Sequence, residues 1–325
     1  MNLGIQRHTI ANDWLALQRP NFTYASDWKL LGVTALITAA LGFQNGFGRP
    51  TADFPALSMA MACLFLIASW SKGRQLFPRV SDYLAIFVWT VSCAYVVAHQ
   101  CYVLPSLNLP LWDAQLAAAD RLIFGIDHRA MRATVSQSQY LSSILLWAYA
   151  YTIPQVLFGF SVLLATNNAE RLSDTIYLVL IGGIATIFAS ALVPVVGPYP
   201  YFKLADLGPG YLASFDIGAY VDTYLKLRSG AGSSLQTEQV QGFITFPSFH
   251  TVLTLSGLYA VAHIRPLAAI SVVMATAVLV STVPVGGHYA VDVVGGIVIW
   301  ILLVRRVERR RQRLRSQSVA ANTAS

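Results

Sequence analysis

Two short polar motifs interrupt apolar stretches in the last third of this 325-residue chain. Phe-Pro-Ser-Phe-His at 246–250 opens one apolar run, and Gly-Gly-His-Tyr-Ala-Val-Asp at 286–292 opens another. Ionisable side chains at the mouths of hydrophobic spans are costly, so they mark a functional site by default. Two histidines and one carboxylate, brought together, could carry out phosphoryl transfer without a metal.

The roles of these three side chains follow from their spacing. His288 and Asp292 are four residues apart, which puts both on one face of a helix. Asp292 could then accept the Nδ1 hydrogen of His288 and leave Nε2 as a nucleophile. The alternative is a buried carboxylate neutralised by its nearest partner. His250 begins a predicted helix, where an anion binds readily. It could protonate a leaving alkoxide, or it is an ordinary interface residue.

The composition is that of an integral membrane protein. Hydrophobic residues make up 55% of the chain, charged residues only 11%, and the mean hydropathy is +0.55. Soluble domains carry about 25% charged residues. We therefore predict an all-α, polytopic bundle with about eight membrane spans of suitable length. The spans are predicted near 30–48, 55–70, 83–104, 143–165, 174–196, 250–264, 266–285 and 288–304.

The spans are predicted to form one domain over residues 30–304, between an inner segment at 1–29 and a basic inner tail at 305–325. No cleaved leader is expected in the first segment, and no structural signal marks residues 316–325. The sixth and seventh spans are separated by four residues, 263–266. A merged re-entrant hairpin is the alternative to two spans there.

The basic residues predict the orientation of the spans. With both termini inside, 15 of the 22 lysines and arginines lie on the inner side, as the positive-inside rule requires. Both histidines then lie at outer ends of spans. The predicted location is a plasma membrane. Short inner loops fit a bacterial inner membrane with the site facing the periplasm; a eukaryotic secretory membrane is the alternative. The basic tail suits anionic lipid rather than nucleic acid.

Two long segments are predicted on the outer side, at 106–142 and 197–249. In the first, Asp113 and Asp120 share a helical face that the apolar residues mostly avoid, which predicts an interfacial helix. These aspartates could grip a polar head group, or they are capping or solvated charges. The second segment is rich in Gly, Pro and Ser, which predicts irregular backbone covering a substrate. Cys63, Cys93 and Cys101 form neither a disulfide framework nor a zinc signature.

The two motifs, whose histidines are 38 positions apart, resemble those of the type 2 phosphatidic acid phosphatase (PAP2) superfamily over about 240–297. Within it, the chain is most similar to the inositolphosphotransferase branch, which includes inositol phosphorylceramide synthases. The resemblance implies a catalytic core of six helices. It also implies that His288 attacks phosphorus to form a phosphohistidine, Asp292 orients it, and His250 protonates the departing oxygen. No metal and no cofactor are implied.

The chain departs from the family pattern where cations normally neutralise phosphate. The family's lysine, followed after six residues by Arg-Pro, is matched only by Lys203, with Gly210-Tyr211 at that distance. The arginine expected six residues before the last histidine is Thr282. The candidate phosphate contacts are Lys203, Arg228, Ser248 and Gly287. For the two cations, ordinary loop charge is the alternative.

The predicted function is a membrane lipid phosphatase or phosphotransferase. Its substrate could be phosphatidate, a prenyl diphosphate or an inositol phospholipid, and its acceptor water or a lipid alcohol, as in inositolphosphotransferases. Two histidines and a carboxylate are also the ligand set of non-haem iron sites. A third hypothesis is a transporter in which His288 and Asp292 relay protons, although transporters usually show repeated halves. No repeat is visible here.

Overall fold

The computed structural model describes residues 25–44, 99–204, 219–230 and 245–323, with a few isolated positions between 59 and 97. All regular secondary structure in these ranges is helical, so the all-α prediction is confirmed. A 3₁₀ turn covers Leu104–Leu107 and a π-helical turn covers Asp120–Phe124. The α-helices are α1 Ala25–Gln44, α2 Asp113–Ala119, α3 His128–Gln137, α4 Gln139–Ala150, α5 Thr152–Ala165, α6 Ala169–Leu192, α7 Pro198–Tyr201, α8 Ala219–Arg228, α9 Phe249–Val261, α10 Arg265–Thr282 and α11 Ala290–Thr323.

Among the described residues, fewer helices could cross a membrane than the eight spans predicted. By length and composition, α6 and α10 could each cross a membrane, and α4 and α5 could form a third span across their 42° bend. Helix α9 has 13 residues, fewer than the roughly 20 that a bilayer requires. Eight spans are therefore not confirmed. The predicted span at 55–70 and most of that at 83–104 lie outside the described residues. Helices α9 and α10 are separate, with a break at 262–264.

Helix α9 lies at the centre of the described bundle. It contacts α5, α6, α10 and α11, and it carries His250 in its first turn. One core cluster joins buried side chains of α5, α6 and α9, among them Leu163, Ile176 and Val261. Many large apolar side chains instead face outward, as expected for a surface in contact with lipid. Examples are Ile144, Trp147, Leu157, Ile270, Val273 and Leu302.

One end of the bundle is tied together by arginines. Arg171 Nε, in the first turn of α6, donates to the carbonyl of Tyr259 near the end of α9 at 2.7 Å. Arg311 of α11 pairs with Glu170 and Asp174 at the same start of α6. At 1.5 Å per residue, α6 carries the chain about 36 Å to the opposite end. Helix α11 continues to Thr323, through most of the 316–325 stretch in which no structural signal was visible.

Both segments that were predicted on the outer side hold helices. In 106–142, the prediction of one helical face for Asp113 and Asp120 is confirmed, and both carboxylates face inward, 3% and 0% exposed. Leu122 and Ile123 are exposed, so this helix turns its apolar residues outward. In 197–249, the prediction of irregular backbone was wrong over α7 and α8. A proline at the first position of α7 suits a helix start, since its missing N–H has no partner there.

Candidate active site

His288 lies in the segment between α10 and α11, where its side chain is buried. Its Nδ1 is 2.9 Å from the backbone carbonyl oxygen of Thr245. A carbonyl only accepts hydrogen bonds, so Nδ1 carries the hydrogen and Nε2 of the neutral ring keeps a lone pair. The preceding Gly287 has a φ of 69°, a conformation that glycine adopts without strain. The local backbone thus presents His288 with its nucleophilic nitrogen free.

His250 faces this lone pair from the first turn of α9. Its Nδ1 is 3.4 Å from Nε2 of His288, and the two rings are 5.5 Å apart at 72°. The ring of Tyr149 lies against His250 with its centroid at 4.6 Å. The structure therefore brings the two predicted histidines together, nitrogen to nitrogen. With Nε2 of His288 unprotonated, His250 can hold a hydrogen on Nδ1 and point it at the reaction centre.

Asp292 is completely buried in the first turn of α11. Its Oδ2 accepts the backbone N–H of Tyr289 at 2.8 Å and lies 3.4 Å from Nδ1 of His288. The backbone carbonyl of Asp292 also accepts the N–H of Ser248 at 2.9 Å. The predicted contact of Asp292 with His288 is present, but Thr245 provides the shorter contact. Through these two backbone hydrogen bonds, Asp292 also holds Tyr289, next to His288, and Ser248, two residues before His250.

The crossing of α9 and α11 depends on a glycine. A Cβ atom placed on Gly296 would lie 2.5 Å from the carbonyl oxygen of Ser248 and 2.7 Å from Cβ of Thr251. Real Cβ atoms essentially never approach this closely, and one of these neighbours is backbone. The close approach of the two helix starts, on which the His250–His288 contact depends, requires a residue without a side chain here.

The aspartates of the outer segment support the same helix start. Asp120 accepts the backbone N–H groups of Ala290 and Val291 at 2.7 and 2.9 Å, and Nε2 of His128 lies 2.8 Å from it. These N–H groups have no partner inside α11, so Asp120 caps that helix. Of the two alternatives for the aspartates, the contacts of Asp120 match capping.

Asp113 joins a turn of the chain to the residue after His288. It accepts the N–H groups of Val196 and Gly197 at 3.0 and 2.9 Å and the hydroxyl of Tyr289 at 3.0 Å. Burial raises the pKa of Asp113 above its ordinary value, and the two backbone hydrogen bonds oppose that change. Asp113 therefore anchors the 196–202 turn beside the histidine pair.

The four predicted phosphate contacts lie in different places. Ser248 and Gly287 are next to the histidines in sequence and space, and Ser248 Oγ accepts the N–H of Thr251 at 3.4 Å as the cap of α9. Arg228 donates to the carbonyl of Leu109 at 2.6 Å. Lys203 is exposed. Among the described residues, neither Lys203 nor Arg228 contacts the histidine pair.

Three parts of the site were not anticipated from the sequence. Thr245 contributes only its backbone, which no residue type reveals. His128 is buried, bound to Asp120 and stacked on Phe202 with ring centroids 5.2 Å apart. Arg132 is buried one turn further along α3. The four-residue spacing of His128 and Arg132 on a short helix was an available signal. Within the described ranges, no group of three His, Cys, Asp or Glu side chains could hold a metal ion.

Comparison with known proteins gives one match. The family model described as the PAP2 superfamily matches residues 114–305. This range is more than half of the chain, and it contains His250, His288 and Asp292 together with Asp120. The match is to the superfamily and identifies no branch within it, so the similarity to inositolphosphotransferases stays a prediction. No curated protein and no solved structure matches the chain.

Proposed function

We propose that this chain, which belongs to the PAP2 superfamily, is a metal-independent lipid phosphatase or phosphotransferase that works through a phosphohistidine on His288. One observation carries the proposal. Nε2 of His288 has a free lone pair because Nδ1 is bound to the Thr245 carbonyl, and this Nε2 faces Nδ1 of His250 at 3.4 Å. A nucleophile and an acid at that separation can act on one phosphorus atom.

The first half-reaction transfers the phosphoryl group to the protein. The Nε2 lone pair of His288 forms a bond to phosphorus as the bond from phosphorus to the ester oxygen breaks. His250, protonated on both ring nitrogens when the phosphate is bound, gives its Nδ1 proton to that departing oxygen and becomes neutral. The ring of His288 becomes positively charged, and the acceptors at Nδ1, Thr245 and Asp292, stabilise that charge.

The second half-reaction restores the resting site. His250, now neutral, takes a proton on Nδ1 from water or from a lipid alcohol and becomes the imidazolium again. The oxygen of that acceptor forms a bond to phosphorus as the bond to Nε2 breaks, and His288 recovers its lone pair. Proton transfer of this kind contributes about 10²- to 10⁴-fold to a rate. Phosphatase and transferase thus differ only in which hydroxyl enters.

A membrane location accounts for the distribution of apolar and basic residues. We propose about eight spans over residues 30–304 in a plasma membrane, with the site at the outer face and the basic residues of α11 at the inner face. Exposed apolar side chains on α4, α5 and α10 support contact with lipid. The arginine-tied end of α6 and the end beside Asp113 are about 36 Å apart, which suits a bilayer between them. The substrate would then be a phosphatidate, a prenyl diphosphate or an inositol phospholipid.

Phosphate release tests the proposal directly. Purified protein in mixed micelles is given phosphatidate or a prenyl diphosphate without an alcohol, and inorganic phosphate is measured. We expect release that His288→Asn and His250→Asn each abolish. His263→Asn is the matched control, because His263 is exposed beyond the other end of α9. Acid-labile, base-stable label from a ³²P substrate should appear on the wild-type protein and be absent from His288→Asn. EDTA should leave the rate unchanged, whereas vanadate should inhibit.

Head-group transfer is the second candidate. The chain lacks the lysine and arginine positions of the phosphatase pattern, and this departure resembles the inositolphosphotransferase branch. A second arm therefore supplies an inositol phospholipid with a lipid alcohol and measures the transferred head group. Transfer without phosphate release would assign the chain to this candidate. No turnover in either arm, from folded protein, would overturn the proposed function.

A further inference from the structure

Arg132 is a buried positive charge that contacts the segment leading to His288. Its side chain is on α3 and is 6% exposed. One Nη1 hydrogen is donated to the carbonyl oxygen of Pro284 at 3.1 Å, and the guanidinium carbon lies 5.4 Å from the centre of the Tyr199 ring. A carbonyl dipole and an aromatic face both attract a cation. Neither of them carries the negative charge that would neutralise it.

A buried cation without an anion is costly. Among the described residues, the arginine that pairs with carboxylates is Arg311, at the other end of the bundle, and no carboxylate pairs with Arg132. Burial lowers the pKa of Arg132 from its ordinary value, but a guanidinium stays charged at neutral pH. An anion from outside the described protein would remove the cost.

The surroundings of Arg132 connect it to both histidines. Pro284, its hydrogen-bond partner, is four residues before His288. One turn further along α3, Val135 is buried against Val285, and Tyr149 contacts the same cluster. The ring of Tyr149 lies against His250. Helix α3 therefore contacts the segment that leads to one histidine and the ring that covers the other.

On its other side, Arg132 lies against the 196–202 turn, which Asp113 anchors. Asp113 accepts the N–H of Gly197, two residues before Tyr199, and the hydroxyl of Tyr289, the residue after His288. It therefore joins the turn that carries Tyr199 to the residue that follows His288. Arg132 thus lies between the 196–202 turn and the segment before His288. The Pro284 bond uses only one of the five N–H groups of the guanidinium.

We propose that Arg132 binds the non-reacting phosphate oxygens of the substrate, in the place of the cations that the superfamily pattern puts elsewhere. The inference rests on the proposed function, because it assigns the anion as the phosphate group that His288 attacks. A guanidinium suits this role, since its planar fork donates two parallel hydrogen bonds to two phosphate oxygens. It replaces Lys203 and Arg228 as the leading candidate for the phosphate clamp.

Arg132→Gln and Arg132→Lys test the inference, and a variant of a neighbouring arginine serves as the control. Arg129→Gln is the matched control, because Arg129 is an exposed arginine of the same helix that donates to the carbonyl of Phe202. Two quantities are measured: inhibition of turnover by inorganic phosphate, as Ki, and KM for phosphatidate in mixed micelles. We expect Arg132→Gln to raise both by about 10- to 100-fold, the range of a charged hydrogen bond. Arg132→Lys should raise them less, and Arg129→Gln should change neither more than about twofold.

The outcomes separate the inference from the proposed function. Suppose that the wild-type protein turns over its substrate and that the Ki for phosphate is the same in Arg132→Gln as in Arg129→Gln. This result would overturn the inference and leave the proposed function standing. A raised Ki with an unchanged KM for phosphatidate would overturn the assignment to the lipid phosphate. If Arg132→Gln does not fold, Arg132→Lys decides, because an ammonium keeps the charge but lacks the fork. Without wild-type turnover, phosphate-induced stabilisation against heating is compared instead, and its loss in Arg132→Gln alone supports the phosphate site.

Discussion

His288 donates its Nδ1 hydrogen to the backbone carbonyl of Thr245 at 2.9 Å, a shorter contact than the 3.4 Å to Oδ2 of Asp292. The tautomer of the proposed nucleophile is therefore set by the backbone, 43 residues away in the chain. Asp292 is left with two other tasks. It supplies a negative charge beside the ring, and it accepts the N–H of Tyr289 at the start of α11. Thr245 therefore orients the ring of His288 and Asp292 supplies the negative charge, two roles that a single carboxylate would otherwise combine.

Asp292→Asn should therefore reduce activity only in part. The amide oxygen can still accept the N–H of Tyr289, and Thr245 still holds the hydrogen on Nδ1, so the loss comes from the missing charge beside the phosphorylated ring. We expect kcat to fall by about 10- to 100-fold, within the range of a single electrostatic contribution. His288→Asn should leave no measurable turnover. Asp222→Asn, on the exposed face of α8, is the control. An Asp292→Asn enzyme as inactive as His288→Asn would show that Asp292, not Thr245, sets the tautomer.

Asp120→Ala should destabilise the protein more than a typical surface change. It leaves the part-buried N–H groups of Ala290 and Val291 and the buried ring N–H of His128 without their acceptor. Unpaired buried donors cost about 1–3 kcal/mol each, so the free energy of unfolding should fall by at least about 2 kcal/mol. Thermal unfolding in detergent measures this, with Asp222→Ala as the exposed comparison. Equal unfolding temperatures for the two variants would contradict the capping role.

Local patterns predicted which side chains of the candidate site meet better than they predicted the residues that support them. The four-residue spacing placed His288 beside Asp292, and His250 was predicted at a helix start, where α9 has it in its first turn. By contrast, Asp120 reaches the start of α11 across 170 residues. Which distant segments meet is decided by packing of whole helices, and a single sequence does not display it.

The number of spans shows a different limit. Hydropathy averages a window and is insensitive to where a helix begins, bends or ends. It therefore did not show the 42° bend between α4 and α5 inside the predicted span at 143–165, and it counted the 13 residues of α9 as a full span. Proline and glycine near these positions were visible, but their effect depends on neighbouring helices.

Gly296→Ala should separate the two histidines without touching either. The added methyl group would lie 2.5 Å from the carbonyl of Ser248, so α9 and α11 must move apart at the level of the site. We expect both a lower unfolding temperature and a loss of phosphate release greater than tenfold, since small displacements of reacting groups cost about 10²-fold. Gly32→Ala is the control, because a methyl group there meets nothing within 4 Å. Full activity in Gly296→Ala would contradict the requirement for this close crossing.

Asp127 should make the stability of α3, the helix that carries Arg132, depend on pH. Its side chain caps α3 by accepting the N–H of Ala130 at 3.0 Å, and this hydrogen bond holds the pKa of Asp127 below its ordinary value. Because the pKa is lower in the folded than in the unfolded protein, the stabilisation is present above the unfolded pKa of about 3.9 and is lost as pH falls through the folded pKa.

At pH 7, Asp127→Ala should lower the unfolding temperature by about 2 °C. Asp127→Asn should not, because asparagine caps a helix as well as aspartate does. The difference between wild type and Asp127→Ala should shrink as the pH is lowered from 5 towards about 3. A difference that stays constant over that range would mean that the carboxylate form of Asp127 does not stabilise the helix.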